Sequence, residues 1–214
     1  MYIPAHFDEE RDEILQQLIV NHPLATIVTF GRDGLAANHI PFLLERAVQG
    51  HGSLIGHVAR NNPLWHDHDA DVDALVIFQG PSAYISPNWY ATKRETHEVV
   101  PTYNYTVVHA HGRIIVHDDA RWIRGVIGKL TKAMEESQPV PWKMVDAPGD
   151  FLRSQIEHIV GIEIPIDRLS GKWKASQNRG AADRTGVVSG LRESGSASQV
   201  EMAELVQDTF TIRE

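Results

Sequence analysis

The chain has 214 residues, 42% of them hydrophobic and 22% charged, with no cysteine and a formal net charge of −8. That length and apolar content suffice for a packed core. The missing cysteine excludes disulfides, thiolate metal sites and cysteine nucleophiles. The acidic balance argues against general binding to a polyanion such as DNA, while leaving room for a local basic patch.

The N-terminus carries Asp8, Glu9 and Glu10, where a secretory leader needs a positive region and then an apolar one. No apolar run approaches the roughly 20 residues that span a bilayer. A cytoplasmic protein without membrane attachment is the expectation.

In chain order, Phe7 to His22 reads as an amphipathic helix, with Ile14, Leu15, Leu18 and Ile19 on one face, Asp8 as a cap and Pro23 as its stop. Leu24 to Phe30 is apolar and β-branched, a strand. Gly31-Arg32-Asp33-Gly34 is a hairpin turn, and Leu35 to Leu44 returns from it. Gly50-His51-Gly52 is the next turn, Leu54 to Ala59 the third strand, and Asn62 to His68 one or two helical turns. Ala74 to Phe78 is a fourth strand, which Tyr84 to Ser86 extends or pairs with. Tyr103 to His117 is long enough for a bent fifth strand, with Gly112 as bulge or kink. The period then changes. Asp118 to Ser137 is helical, capped by Asp118 or Asp119, with an apolar stripe of Trp122, Val126, Ile127 and Leu130. Phe151 to His158 is a short helix, Ile159 to Ile166 a last strand, and Arg179 to Val206 a helical segment interrupted by Ser194-Gly195-Ser196. Closely connected antiparallel strands favour a small barrel. The missing α–β alternation, and the lack of a GxGxxG after a strand, argue against a dinucleotide-binding fold.

Four constellations carry candidate chemistry. Gly56 to Pro63 runs off a strand into a helical turn, and Arg60 offers a planar charged fork that suits a phosphate. The alternative is an ordinary surface arginine. Tyr84 to Tyr90 and Val100 to Tyr105 set aromatics beside small polar residues and prolines. A flat heteroaromatic ligand wants such a wall, as does a dimer contact or a tyrosine-rich core. Ser170 to Arg179 gathers cations, a tryptophan and two amides. It reads either as a loop that closes over an anionic aromatic ligand or as an exposed basic loop. His66 to Asp73 holds histidines and carboxylates, but its spacing matches neither the HExxH helix nor a calcium loop, so a solvated acidic loop is the better reading. His109 and His111 alternate onto one face of a strand without a companion that makes them metal ligands. No metal site and no catalytic residue is assigned. No hydrolase or nucleotide-loop motif is present.

Taken together, these words resemble the PaiB-type family, also called FMN-binding negative transcriptional regulators. The matching residues are Met1-Tyr2-Ile3-Pro4 with Phe7, Leu24 to Thr29, Asn38-His39-Ile40-Pro41-Phe42, Gly56 to Pro63, Tyr84-Ile85-Ser86-Pro87 with Trp89-Tyr90, Val100 to Tyr105, and Gly171 to Lys174 with Ser176-Gln177-Asn178. The resemblance implies a mainly-β α+β fold, an FMN-binding split β-barrel like that of the pyridoxamine-phosphate oxidases, with flanking helices. It implies one domain over 1–214, with barrel strands at about 24–117 and 158–166 and helices at about 8–22, 118–137 and 196–208. It further implies a homodimer with the FMN site at its interface. His39, Ile40, Pro41 and Phe42 would line the isoalloxazine. His57, Val58, Ala59, Arg60 and Asn62 would hold the ribityl chain and phosphate, with Arg60 the main charge partner. Asn104, Tyr105, Lys172, Lys174, Gln177 and Asn178 would approach the ring from the other subunit. The family pattern has a denser basic cluster at the phosphate strand than Arg60 alone supplies.

The family name implies gene repression. DNA is therefore a possible partner, although the net charge does not support it and no helix-turn-helix is legible. Arg121, Arg124, Lys129 and Lys132 make a mildly basic helix face. The alternative is a flavin-dependent oxidoreductase or flavin reductase, in which His39, Tyr105 or Lys174 donates a hydrogen bond to flavin or substrate. A haem- or metal-binding split barrel ranks third.

Overall fold

The structure is a computed structural model and describes residues 1–210. In chain order the elements are β1 (Asp8–Glu9), α1 (Asp12–Asn21), β2 (Leu24–Gly31), β3 (Gly34–Pro41), β4 (Leu43–Glu45), β5 (Ser53–Ala59), α2 (Leu64–Asp67) and β6 (Ala74–Ile85). Then follow β7 (Thr102–Gly112), β8 (Ile115–His117), α3 (Ala120–Glu135), α4 (Gly149–Glu157), β9 (Ile159–Pro165), β10 (Arg168–Lys174), α5 (Ala181–Ser194) and α6 (Ala197–Asp208). None of the described helices is long and apolar enough to cross a membrane. The backbone divides into two compact units: Met1–Leu15, Gln79–Val108 and Ser170 onward form one, Gln16–Phe78 and His109–Leu169 the other. β6 and β7 each contribute a segment to both.

In the second unit β2 and β3 form the hairpin that its turn residues demand. Leu24 pairs with Pro41 through to Gly31 with Gly34, and Gly34 takes the positive φ of +98° that a side chain would resist. Ala25, Ile27 and Thr29 alternate inward along β2. β2 also pairs with β6, Thr26 opposite Ile77. A second antiparallel sheet has the order β4-β5-β9-β8. The run expected as one strand from Leu35 to Leu44 therefore breaks at Phe42. Its amide donates to the Pro23 carbonyl (2.9 Å), and its ring is buried against Phe78. The long strand expected from Tyr103 to His117 also breaks, after Gly112, where a Cβ would stand 1.9 Å from the Pro165 carbonyl oxygen. Helix α3 begins where Asp119 accepts from the Trp122 amide (2.7 Å). It sets Val126 and Leu130 against Ile55.

In the first unit the strand order is β1-β10-β7-β6. Two expectations change here. Asp8 and Glu9 do not start the N-terminal helix: they pair with Lys172 and Gly171, and Glu9 takes the Arg11 guanidinium and amide. The helix starts only at Asp12. Ile159 to Ile166 is not the last strand, because the segment read as a loop from Ser170 contains most of β10. Ala74–Phe78 and Tyr84–Ser86 are the two ends of one strand, β6. The C-terminal helical segment is two helices, α5 and α6, separated at Gly195, whose φ is +74°. Val187 and Leu191 of α5 and Met202 and Val206 of α6 enclose a core with Tyr90 and Ala175.

Candidate functional site

In the second unit, the strand segment from Asn38 shows the alternation that pleating requires. Ile40 and Phe42 are buried, whereas His39 and Pro41 are exposed. His39 Nδ1 lies 3.1 Å from Thr26 Oγ1 across the hairpin. Asn62 Nδ2 donates to Asn38 Oδ1 (2.9 Å), and Asn62 Oδ1 accepts from the Leu64 amide (3.0 Å). Asn62 thus ties β3 to the start of α2. Val58 is buried and Ala59 exposed. His57 has a buried Nδ1 with no hydrogen-bond partner, and burial pushes its pKa below the ordinary histidine value of 6.5.

Arg60 does not present a free fork. Its Nη1 and Nη2 donate to the two Asp118 carboxylate oxygens (3.0 and 2.6 Å), its Nε to the Glu157 carbonyl (2.7 Å), and Nη2 also to the Ile159 carbonyl (3.2 Å). The side chain ties the end of α4 and the start of β9 to Asp118. A phosphate that took Arg60 as its main charge partner would have to displace a bidentate carboxylate and two carbonyls. Nearby, the Trp122 ring fills the place of the missing side chain at Gly161, where a Cβ would lie 2.2 Å from it. It also stacks on His117 with centroids 3.8 Å apart and 9° between planes, and His117 Nε2 meets Glu163 at 2.8 Å.

In the first unit β10 and β7 build a niche of different character. Lys172 is only 9% exposed. Its Nζ donates to the Tyr2 carbonyl (3.2 Å) and lies 5.3 Å from the Tyr105 ring centroid and 5.7 Å from that of Tyr2. Lys174 donates to Thr102 Oγ1. Burial lowers its pKa from the usual lysine value. Tyr105 opposes that shift, and Lys172 and Arg179 add to it. Arg179 lies 4.7 Å over the Tyr90 ring. Among the described residues none of these three cations forms an ion pair with a carboxylate.

The turn after β10 is held by side chains. Ser176 has a φ of +63° and is buried. Asn104, also buried, donates to its Oγ (2.9 Å). Gln177 bridges the Ala175 amide and the Trp173 carbonyl, so its amide secures the turn. Asn178 is exposed. An anionic aromatic group such as a flavin nucleotide fits what this niche offers: ring faces, hydroxyls and uncompensated positive charge in a chain of net charge −8.

The other constellations are differently occupied. His68 Nδ1 meets the Leu64 carbonyl (2.9 Å), Asp69 accepts from the Asp71 amide (2.9 Å), and Asp71 pairs with Arg113 at 3.5 Å. His109 and His111 both have pKa values lowered, first by burial. Among the described residues no group of three or more His, Cys, Asp or Glu is placed to hold a metal ion. Sequence reading included Thr102 in the segment Val100 to Tyr105 without giving it a role, and missed the burial of Lys172. The available signal was the alternation of Leu169, Gly171, Trp173 and Ala175 with Arg168, Ser170, Lys172 and Lys174, which has the period of a strand.

Comparison with known proteins bears on both halves. A family profile described as "Putative FMN-binding domain" matches residues 1–168, ending before Lys172. The Bacillus subtilis "Protease synthase and sporulation protein PAI 2" is 32% identical, over 97% of each chain. The uncharacterized protein AN0679 of Emericella nidulans is 33% identical, again over 97% of each. Among solved structures, the FAD and heme binding protein of Mycobacterium smegmatis superposes with a TM-score of 0.56 at 19% identity, over 78% of this chain and 73% of that one. The flavocytochrome Anf3 of Azotobacter vinelandii gives 0.57 at 12% identity, over 80% and 72%. These likenesses show the fold class: mainly-β α+β, a split barrel with flanking helices.

Proposed function

The chain belongs to the FMN-binding domain family whose profile covers residues 1–168, and from that premise we propose that it holds FMN as a homodimer and works as a flavin-carrying regulator of the PAI 2 kind. The observation that carries the cofactor reading is the niche of Lys172, Lys174 and Tyr105, cationic, aromatic and without a counter-carboxylate among the described residues. Tyr105 offers the flavin a ring face. Lys172 and Lys174 offer charge to its anionic parts, and Asn104 and Gln177 keep the turn beside them in place. His39 to Phe42, with His57 to Ala59 and Asn62, offer FMN backbone groups and hydrogen-bonding side chains from one subunit of the dimer, and the niche of Lys172 and Lys174 approaches from the other. Arg60, whose fork is engaged by Asp118 and two carbonyls, ties the strand end together. Bound flavin supplies electron-transfer chemistry, which the protein positions and tunes.

The regulatory role rests on the resemblance to FMN-binding negative transcriptional regulators, with which the likeness to the Bacillus subtilis PAI 2 protein agrees. A second reading, a flavin-dependent oxidoreductase, draws on Lys174 and Tyr105 as donors beside the flavin. Titration of the purified chain with FMN, followed by flavin fluorescence and by retention of the flavin bands on desalting, tests the cofactor. A protein that keeps no FMN at micromolar concentration overturns the reading. Rapid bleaching of retained flavin by a reduced nicotinamide would then select the oxidoreductase, and sequence-specific DNA binding at physiological salt the regulator.

A further inference from the structure

We propose that the groove between the end of α3 and the loop 141–144 is a binding site for a free α-amino acid with an aromatic side chain. The groove encloses about 510 Å³, a size suited to a small molecule, and all of its lining residues belong to the second unit. Its walls are Trp142, Met144, Pro141 and the backbone at Gly128. Gly128 brings no side chain into it, and a Cβ there would reach only the Met144 sulfur, at 3.5 Å.

Hydrogen bonds fix the loop against the helix. The Glu135 carboxylate accepts from the Trp142 amide (2.8 Å). The next turn closes where Asp146 Oδ2 accepts from the Lys143 amide (2.8 Å) and the Asp146 amide donates to the Lys143 carbonyl (2.9 Å). The walls are therefore in place before a ligand arrives, which lowers the cost of binding.

The walls suit a ring. An indole stacks with an aromatic group, and a thioether sulfur favours its edge. The rim decides which ring-bearing molecule enters. It carries both signs: Lys132 and Lys143, Glu135 and Glu136. Glu135 is engaged by the Trp142 amide. The other three are exposed, and none of them forms an ion pair among the described residues. Lys132 and Glu136 stand one helical turn apart on the same face. Opposite charges at the rim of an apolar groove complement a zwitterion, with its carboxylate at Lys132 and Lys143 and its ammonium at Glu136. An aromatic acid would leave Glu136 unanswered, and an aromatic amine the two lysines. The site uses no residue of the flavin reading.

The full-length chain is titrated calorimetrically with phenylalanine, then with phenylpropionate, which lacks the ammonium, and with phenethylamine, which lacks the carboxylate. Phenylalanine is expected to bind at one site with millimolar affinity or better, and each analogue about tenfold more weakly, for loss of one charge-assisted contact. Lys132→Gln should weaken phenylalanine and phenylpropionate but not phenethylamine. Glu136→Gln should weaken phenylalanine and phenethylamine but not phenylpropionate. Both residues are exposed, so neither change opens the core. Trp142, 43% exposed, can also be replaced without opening it, and Trp142→Ala should abolish binding of all three. Equal affinity for the three ligands overturns the proposal, because the rim would then select nothing. So does wild-type affinity in Trp142→Ala, and so does competition by FMN, which would place the ring in the flavin site. The absence of saturable heat at millimolar phenylalanine overturns it outright.

Discussion

Replacing Lys172 with methionine separates what this ammonium does for the fold from what it does for a ligand. The two side chains are unbranched and similar in length, so the packing beside Tyr2 and Tyr105 is kept. The fold loses the hydrogen bond to the Tyr2 carbonyl (3.2 Å) and two ring contacts at 5.3 and 5.7 Å. Those amount to roughly 1.5–3 kcal/mol for a charged hydrogen bond and about 0.5–1 kcal/mol for each ring contact. The fold also no longer holds a 9%-exposed charge without a carboxylate partner among the described residues, a burden of several kcal/mol. The balance leaves flavin-free K172M about as stable as wild type, or up to roughly 1 kcal/mol more stable. In a chain of this size that raises the melting temperature by about 2–4 °C. Flavin binding moves the other way. Loss of a charge-assisted contact of about 1.5–3 kcal/mol weakens FMN by about 10- to 100-fold. Urea unfolding followed by tryptophan fluorescence gives the first quantity and FMN fluorescence titration the second. A variant that is clearly destabilised yet binds FMN as wild type does would make Lys172 a purely structural residue and refute the reasoning.

Arg60→Ala should lower the melting temperature while leaving FMN affinity close to wild type, because the fork serves Asp118 and two carbonyls. A large loss of FMN binding with unchanged stability would return the phosphate to Arg60. Gly161→Val forces atoms into a place where a Cβ already stands 2.2 Å from the Trp122 ring. It should cost about 1–3 kcal/mol by urea unfolding, and an unchanged midpoint would show that Trp122 moves freely. The folded-state pKa values of His57, His109 and His111 lie below the ordinary 6.5, burial being the first cause in each. On acidification the unfolded chain therefore takes up protons first. Stability should be full above about pH 6.5 and fall as the pH drops through the folded-state values. His57→Gln should flatten that decline, which urea midpoints collected from pH 8 to pH 5 would show.

How far the sequence reveals the fold differs between elements, and the reason is physical. The β2–β3 hairpin was legible because Gly31 and Gly34 bracket two residues between apolar runs, a local signal that no distant contact can override. Helix α3 was legible from its Asp119 cap and its apolar stripe. β10 was not, because its cations looked like a solvated loop. Its lysines enter a sheet only because Gly171 lets the strand approach Leu15, where a Cβ would lie 2.1 Å from the leucine side chain, and because tyrosine rings receive the ammonium of Lys172. Neither condition can be seen within ten residues of sequence, so the strand-period alternation from Arg168 to Ala175 was outweighed by the cations. Arg60 illustrates the converse. Its residue type reads as a fork for a phosphate, and in the structure the fork meets Asp118, 58 positions away, with the Glu157 and Ile159 carbonyls completing its set. Motif reading names the chemistry a side chain can do. Only the fold decides whether its partner is a ligand or the chain itself, and the Arg60→Ala titration with FMN is the measurement that separates the two for this fork.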